Sequence, residues 1–304
     1  MQEDTFEFVK TFPDPVAQES YESLVGIDHI KHRLSQEAAI MLNPESLAAW
    51  SEHFYKKQLD IVGVFKKRPP LFIFTGDVGT GKTALAESFA DQVATSEGIE
   101  VTLYKLSLNA RGSGVVGEMT KLITNSFEQL RKDSLAKGSS KSALVLFIDE
   151  ADALAQSREA TQMHHEDKAG VNALIRGIDS VQGLKVPVLV VMCTNRHSAI
   201  DPAIRRRSAV TFEFSRPTRE QCAALLMKFL GDIGMNTETA NQIAEQCVPH
   251  GALGYGYTYS DLTQKVLPAV LLAAFPDKQI TVDSVIEVIK DTPPTEPFKE
   301  QEQP

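Results

Sequence analysis

The string GDVGTGKT occupies residues 76–83. Its glycines let successive backbone N–H groups turn toward one point, and a helix opening at its end adds positive potential there. Such a concavity suits phosphate oxygens. In the pattern GxxxxGK[ST] the lysine, here Lys82, reaches the β- and γ-phosphates of ATP, and the hydroxyl of Thr83 ligates Mg²⁺. Gly76, Asp77, Val78, Gly79, Thr80, Gly81 and Ala84 complete the expected cradle. A glycine-rich turn with no such role matches this pattern in only about 1 % of random chains of this length.

Two further strings supply what hydrolysis needs. LVLFIDE (144–150) ends an apolar run with Asp149 and Glu150. At the C-terminal end of a parallel strand such acids face the ligand crevice. Asp149 suits the Mg²⁺ shell, and Glu150 suits activation of the attacking water, because in-line phosphoryl transfer needs a positioned nucleophile above all. An acid pair that merely complements a helix dipole is the plainer alternative; the phosphate string upstream favours chemistry. VLVVMCTN (188–195) ends in Asn195, whose amide can orient the same water, although Thr-Asn also begins turns. IDPAIRRR (200–207) places Arg205, Arg206 and Arg207 side by side. From those residues alone a nucleic-acid patch, a solvated turn and a catalytic device all stay open.

The elements that position these groups follow from periodicity. Apolar or alternating runs at 71–75, 100–108, 142–150, 186–195 and 209–214 predict strands, with helical patterns at 82–94, 116–137 and 168–182 between them. That alternation implies an α/β fold with a parallel five-stranded sheet. Helical spacing also runs from Ser23 to Leu59, and Pro69–Pro70 stops whatever precedes the first strand. After Pro217 only helical patterns follow, at 218–231, 237–248, 260–275 and 282–290. The predicted division is an N-terminal tail (1–21), a large α/β domain (22–216), a small helical lid (217–291) and a disordered C-terminal tail (292–304), the last too polar and proline-rich to fold alone.

Composition narrows the class. With 42 % apolar and 23 % charged residues, and no apolar run near the roughly 18 residues of a membrane span, the chain reads as soluble and globular. The acidic start MQEDTFEF lacks the layout of a secretory signal, and Cys193, Cys222 and Cys247 are too scattered for a disulfide framework or a zinc site, so a cytoplasmic location is expected. A net charge of −9 argues against broad nucleic-acid binding.

In order and spacing these strings resemble the AAA+ ATPases, over about residues 21–291. The resemblance implies that Gly26 and Ile27, in VGIDHIKHRL, sit near adenine, that Asn195 is the first sensor, and that Ser260, at the start of YSDLTQKVLPAVLLAAF, contacts nucleotide from the lid. It makes Arg206 and Arg207 the arginine fingers that act on a neighbouring subunit's nucleotide, with Arg205 structural. GVNALIRGIDSVQG and VLVVMCTNRHSAIDPAIRRRSAV are similar to the pachytene-checkpoint ATPases, and the short chain resembles their bacterial, Trip-type members. What that implies is a homohexamer that uses ATP to open or disassemble closed HORMA-domain proteins, thereby switching off an associated cyclic-nucleotide synthase in antiphage signalling. Its pore loop is Val115–Val116–Gly117, where the family usually has an aromatic residue, and an aliphatic residue offers less grip. Asp261 stands where that group often has an arginine. The alternatives are a DNA-associated loader or initiator, which calls for a basic pore, and a general unfoldase.

Other features have plain readings. His164–His165–Glu166–Asp167 has no second cluster to complete a metal site, and Lys66–Lys67–Arg68 reads as a solvated charge run. One of Tyr255, Tyr257 and Tyr259 can stack on adenine, but packing of the lid loop accounts for all three. Trp50 is expected to pack between helices.

Overall fold

The computed structural model describes residues 5–107, 118–138, 141–151, 165–196, 198, 200–249 and 254–298. Its contacts divide the chain into two units. The first gathers residues 1–22, 29–75 and 83–213; the second gathers 23–28, 76–82 and 214–304.

The first unit is built on a six-stranded sheet in the order β1-β3-β4-β5-β2-β6. The strands are β1 (Phe8–Phe12), β2 (Leu71–Gly76), β3 (Glu100–Ser107), β4 (Ser142–Asp149), β5 (Val188–Thr194) and β6 (Val210–Phe214). β2 pairs with β5, β5 with β4 and β4 with β3, all parallel, and these strands are buried almost throughout, as a sheet covered on both faces requires. Helices α1 (Pro15–Ser23), α2 (Asp28–Leu42), α3 (Pro44–Tyr55), α4 (Asp60–Lys66), α5 (Lys82–Glu97), α6 (Glu118–Lys137), α7 (His165–Val181) and the short α8 (Pro202–Arg205) connect or flank them. On one side Leu71, Ile73, Leu146, Ile148, Val190 and Met192 form a core with Ile123, Phe127 and Leu130 of α6 and Val171, Leu174 and Ile178 of α7. Gly177 is what allows that approach: a Cβ there would lie 2.2 Å from the Phe127 ring.

The sixth strand corrects the expected five. Residues 8–12 pair antiparallel with Val101–Lys105 of β3, and α1 follows, so the predicted tail is largely ordered. The cause is a period-two pattern interrupted by charge: Phe12 is 1 % exposed, and Phe6 lays its ring 5.0 Å from that of Tyr104. Between α2 and α3 the expected continuous helical pattern breaks at Asn43, with Pro44 opening the new helix, where its missing N–H costs nothing.

The second unit has an all-helical core from α9 (Arg219–Leu230), α10 (Thr237–Cys247), α11 (Leu267–Ala274) and α12 (Val282–Asp291), including Leu225, Leu226, Ile243, Ala244, Leu262, Val266 and Ile289, with Val25 packed on it. Thr218 caps α9 in a reciprocal box with Gln221, whose amide also donates to the Gly26 carbonyl at 2.6 Å. The predicted helix 260–275 is interrupted: Asp261–Val266 is a π-helical turn before α11. Pro268 cannot donate to the carbonyl four residues back, and a wider turn accommodates the loss. Residues 292–298 have no regular structure but are tied down: the Tyr257 hydroxyl lies 2.6 Å from the Thr292 carbonyl, and Thr295 donates both its N–H and its hydroxyl to Asp261. The expectation of a disordered segment is thus corrected up to Phe298. Its own polarity hides partners that lie elsewhere in the chain.

Candidate functional site

β2 runs straight into the phosphate string, at the point of the sheet where successive strands depart to opposite sides, and such switch points are where open α/β sheets bind ligands. Three of its glycines take positive φ: Gly76 at 145°, Gly79 at 73° and Gly81 at 96°. At Gly76 a Cβ would lie 2.0 Å from the Phe214 carbonyl oxygen, so no other residue fits. Lys82, 6 % exposed at the start of α5, donates its ammonium to the carbonyls of Gly76 (2.8 Å) and Asp77 (2.7 Å), and Thr80 donates its hydroxyl to Asp77 O. Val78 and Ala84 are exposed.

Several predicted residues gather on this loop within the second unit. A Cβ on Gly79 would lie 2.7 Å from Thr258 Oγ1 and 2.9 Å from Ser260 Cβ, and the Ser260 N–H donates to Gly79 O at 3.0 Å. One on Gly81 would lie 3.9 Å from Ile27 Cδ1, and Gly26 sits against the Tyr259 hydroxyl. Burial holds that phenol well above its ordinary pKa. Gly26, Ile27, residues 76–82 and Ser260 thus form one cluster.

A group that sequence reading missed locks the loop from outside. Arg216 grips Asp77 Oδ2 through Nε (2.8 Å) and Nη2 (2.6 Å), donates Nη1 to the Gly256 carbonyl, and lies over the Tyr255 ring. Asp77 Oδ1 accepts from the N–H groups of Val78 and Phe298. The bare cation before Pro217 was the only signal. Tyr255, Tyr257 and Tyr259 all have packing or hydrogen-bonding roles in this unit.

The remaining groups belong to the sheet of the first unit. Thr83 Oγ1 lies 3.4 Å from Asp149 Oδ1, and the same oxygen accepts the Glu150 N–H at 3.0 Å. Burial pushes the Asp149 carboxyl above its usual range, offset in part by the Glu150 N–H, Lys105 and Thr83. One hydroxyl and one carboxylate side by side fit Mg²⁺, which takes few protein ligands and keeps water and phosphate for the rest. Glu150 is exposed and has φ 51°, a left-handed conformation uncommon for a side-chain-bearing residue and concentrated at functional sites. Asn195 follows β5 in a bend closed by Thr194, whose Oγ1 accepts the Arg196 N–H at 3.0 Å.

The arginine triplet separates. Arg207 makes a two-pronged pair with Asp179 (2.8 and 3.0 Å) and donates to Ala203 O, while Arg206 is exposed with one contact to Pro202 O, and Arg205 is exposed. Val115–Val116–Gly117 and His164 lie outside the described residues, as do the side chains of His165–Asp167. Arg68 of the basic run is absorbed internally, by Glu37 and Ala209 O. Trp50, expected between helices, is 43 % exposed and packs on Phe54 and Tyr55 of its own helix. Among the described residues no helix is long and apolar enough to cross a membrane.

Comparison with known proteins agrees with this geometry. The model of the ATPase family associated with various cellular activities (AAA) matches residues 72–216. CD-NTase-associated protein 6 of Escherichia coli (strain MS 115-1) is 44 % identical over 300 residues, spanning 97 % of this chain and 96 % of the relative. Among solved structures, the E. coli MS115-1 HORMA:CdnC:Trip13 complex contains a chain superposing with a TM-score of 0.89 at 43 % identity, over 97 % of both chains. A Rhizobiales Trip13 superposes at 0.77 with 36 % identity, over 96 % of this chain and all of that one. The protein is therefore a member of the AAA ATPases, in their Trip13-type branch.

Proposed function

We propose that this ATPase remodels closed HORMA-domain proteins and so silences an associated cyclic-nucleotide synthase, acting in the cytoplasm as a homohexameric ring. The observation that carries the reading is the end-to-end match with a Trip13 solved together with HORMA and CdnC. In this reading residues 22–216 form the ATPase domain and 217–291 the lid.

Bound Mg²⁺–ATP supplies the phosphoanhydride to be cleaved and the cation that screens its charge. Lys82 exchanges the neutral Gly76 and Asp77 carbonyls for anionic phosphate oxygens, which accept more strongly from an ammonium. Thr83 and Asp149 hold the cation. Glu150, exposed at the end of β4, takes the proton of the attacking water, and Asn195 orients that water. Gly26 and Ile27 border the base, and Ser260 reads the loop from the lid side. Arg206 and Arg207 reach the nucleotide of a neighbouring copy, Arg206 more readily because Arg207 must first leave Asp179. Val115, Val116 and Gly117 pull on a flexible end of the substrate.

Glu150→Gln tests the hydrolytic core. Removing a general base lowers turnover by about 10²–10⁴, with ATP binding retained and HORMA release from a HORMA–synthase complex abolished. Turnover equal to that of the unaltered protein rejects Glu150 as the base; turnover lost while HORMA release persists rejects the coupling.

A further inference from the structure

Lys105 is the one cation of β3, set among the buried apolar residues Val101, Leu103 and Leu106, and no role for it follows from the motifs. Its side chain is 11 % exposed and is bordered by the rings of Phe8 and Phe147, at 5.6 and 5.8 Å from the ammonium. Three carboxylates face that ammonium. Glu87 Oε1, one turn into α5 beyond Thr83, lies 2.8 Å away; Glu7 Oε1, just before β1, lies at 3.3 Å; Asp149 Oδ2 lies at 3.9 Å. The two oxygens of Asp149 are thus divided. Oδ1 faces Thr83 and the Glu150 N–H, and Oδ2 faces Lys105.

One positive charge among three negative ones leaves a local excess of two. A divalent cation cancels that excess. The geometry points to Lys105 as a positioning residue that holds Asp149 beside Thr83 when the cation is absent and competes with the cation for Asp149 when it arrives. It thereby sets the Mg²⁺ concentration at which the site loads. The edge strand β1 takes part: the Glu7 N–H donates to the Lys105 carbonyl at 2.8 Å, and Phe8 is the β3 partner of Lys105, so pairing of β1 delivers Glu7 to the cluster. The inference rests on Thr83 and Asp149 as the cation's ligands.

The sign of the effect separates this role from simple scaffolding. Without the ammonium, three carboxylates repel one another, so the nucleotide-free protein loses stability. The same uncompensated charge attracts Mg²⁺ more strongly, and opposite charges a few ångströms apart in a partly buried site interact strongly enough for about a threefold to tenfold change in affinity. The experiment is an Mg²⁺ titration of fluorescent ADP binding by the full chain, with no turnover involved, alongside thermal unfolding without nucleotide. In Lys105→Met the Mg²⁺ half-saturation falls by about threefold or more, and the nucleotide-free melting temperature drops; Lys105→Arg restores both. Should Lys105→Met not fold, Lys105→Gln removes the charge while keeping a hydrogen-bond donor toward Glu87, and carries the same prediction of a lowered half-saturation. A half-saturation that is unchanged or raised overturns the inference. Failure of the underlying ligand assignment looks different: ADP binding by the unaltered protein would then ignore Mg²⁺ altogether.

Discussion

Asp261 stands where the family resemblance leads one to expect a cation, and the surroundings of its carboxylate give its replacement a calculable cost. The carboxylate is 1 % exposed. Oδ1 accepts from Lys265 Nζ at 2.7 Å and Thr295 Oγ1 at 2.5 Å, and Oδ2 from the N–H groups of Thr258 and Thr295, both at 3.0 Å. In Asp261→Asn the single carbonyl oxygen can serve only one of these pairs. If it keeps the two backbone N–H groups, the new NH₂ meets the Thr295 hydroxyl, which can rotate to accept, and the Lys265 ammonium, which cannot. One charge-assisted bond is lost and three others weaken. At about 1.5–3 kcal/mol for a hydrogen bond to a charged group, with a small addition for the weakened bonds, the cost is about 2–4 kcal/mol. Lys265 is half exposed and returns to water, which keeps the figure from rising further.

The pH dependence supplies an internal control. Burial on its own raises the Asp261 carboxyl, but Lys265, the Thr295 hydroxyl and the two backbone N–H groups outweigh it and hold the pKa well below the ordinary carboxylate range. A depressed folded-state pKa contributes stability that is complete above the unfolded value, about 3.9, and disappears as pH falls toward the folded one. Urea unfolding followed by far-ultraviolet circular dichroism should therefore show a constant gap between the two proteins from neutral pH to about pH 5, narrowing in more acid solution. Tryptophan emission is the wrong probe, because the only tryptophan, Trp50, lies in the other contact unit. A gap below about 1 kcal/mol at neutral pH, or one that does not narrow in acid, refutes the role given to these four bonds. The effect also reaches nucleotide: Thr258 and Ser260 lie against Gly79, so the variant binds ADP more weakly as well.

Two other outcomes test the arginine triplet and the α6–α7 contact. Arg206→Ala lowers ATP turnover by about 10³–10⁵ if that side chain completes a neighbour's site, and mixing it with Lys82→Ala subunits restores hydrolysis; no recovery on mixing returns the triplet to a solvated turn. Gly177→Ala forces a methyl group into the buried Phe127 ring and destabilises the first unit by about 1–3 kcal/mol, measured by urea unfolding, with Gly177→Ala/Phe127→Leu recovering part of the loss.

What the sequence made legible was what is local along the chain. The phosphate string and the strand ends at Asp149–Glu150 and Asn195 can be placed on their elements from a few residues each, since a strand end and a helix start are both short-range events. The α/β pattern followed from the same periodicities. Arg216 and Asp77 are 139 residues apart, and neither position signals the other. Lys105 reads as an outlier in β3 until α5 and β1 bring Glu87 and Glu7 beside it. Asp261 reads as a lost lid cation until Thr295 is found 34 residues on. In each case the missed group is a charge whose partner arrives by tertiary folding, which no spacing rule encodes.

The division of the chain carries the same lesson one step further. A linear reading draws one boundary near Pro217, whereas contacts assign residues 76–82 to the unit of 214–304 and Thr83 onward to the sheet. Lys82 and Thr83, neighbours by one peptide bond, thus belong to different contact units. In the proposed reading the first would exchange its carbonyl partners for phosphate, and the second would share Asp149 with a metal ion. The string that reads as one motif of eight residues supplies groups to two clusters, Lys82 with Gly76 and Asp77, and Thr83 with Asp149. In that reading loss of the γ-phosphate would change the partners of Lys82, whose carbonyl acceptors on Gly76 and Asp77 belong to the same unit as the Arg216 that grips Asp77. Asp77, a variable letter of the motif, is thus tied to residues beyond Pro217 through Arg216, alongside the contacts of Gly79 with Thr258 and Ser260.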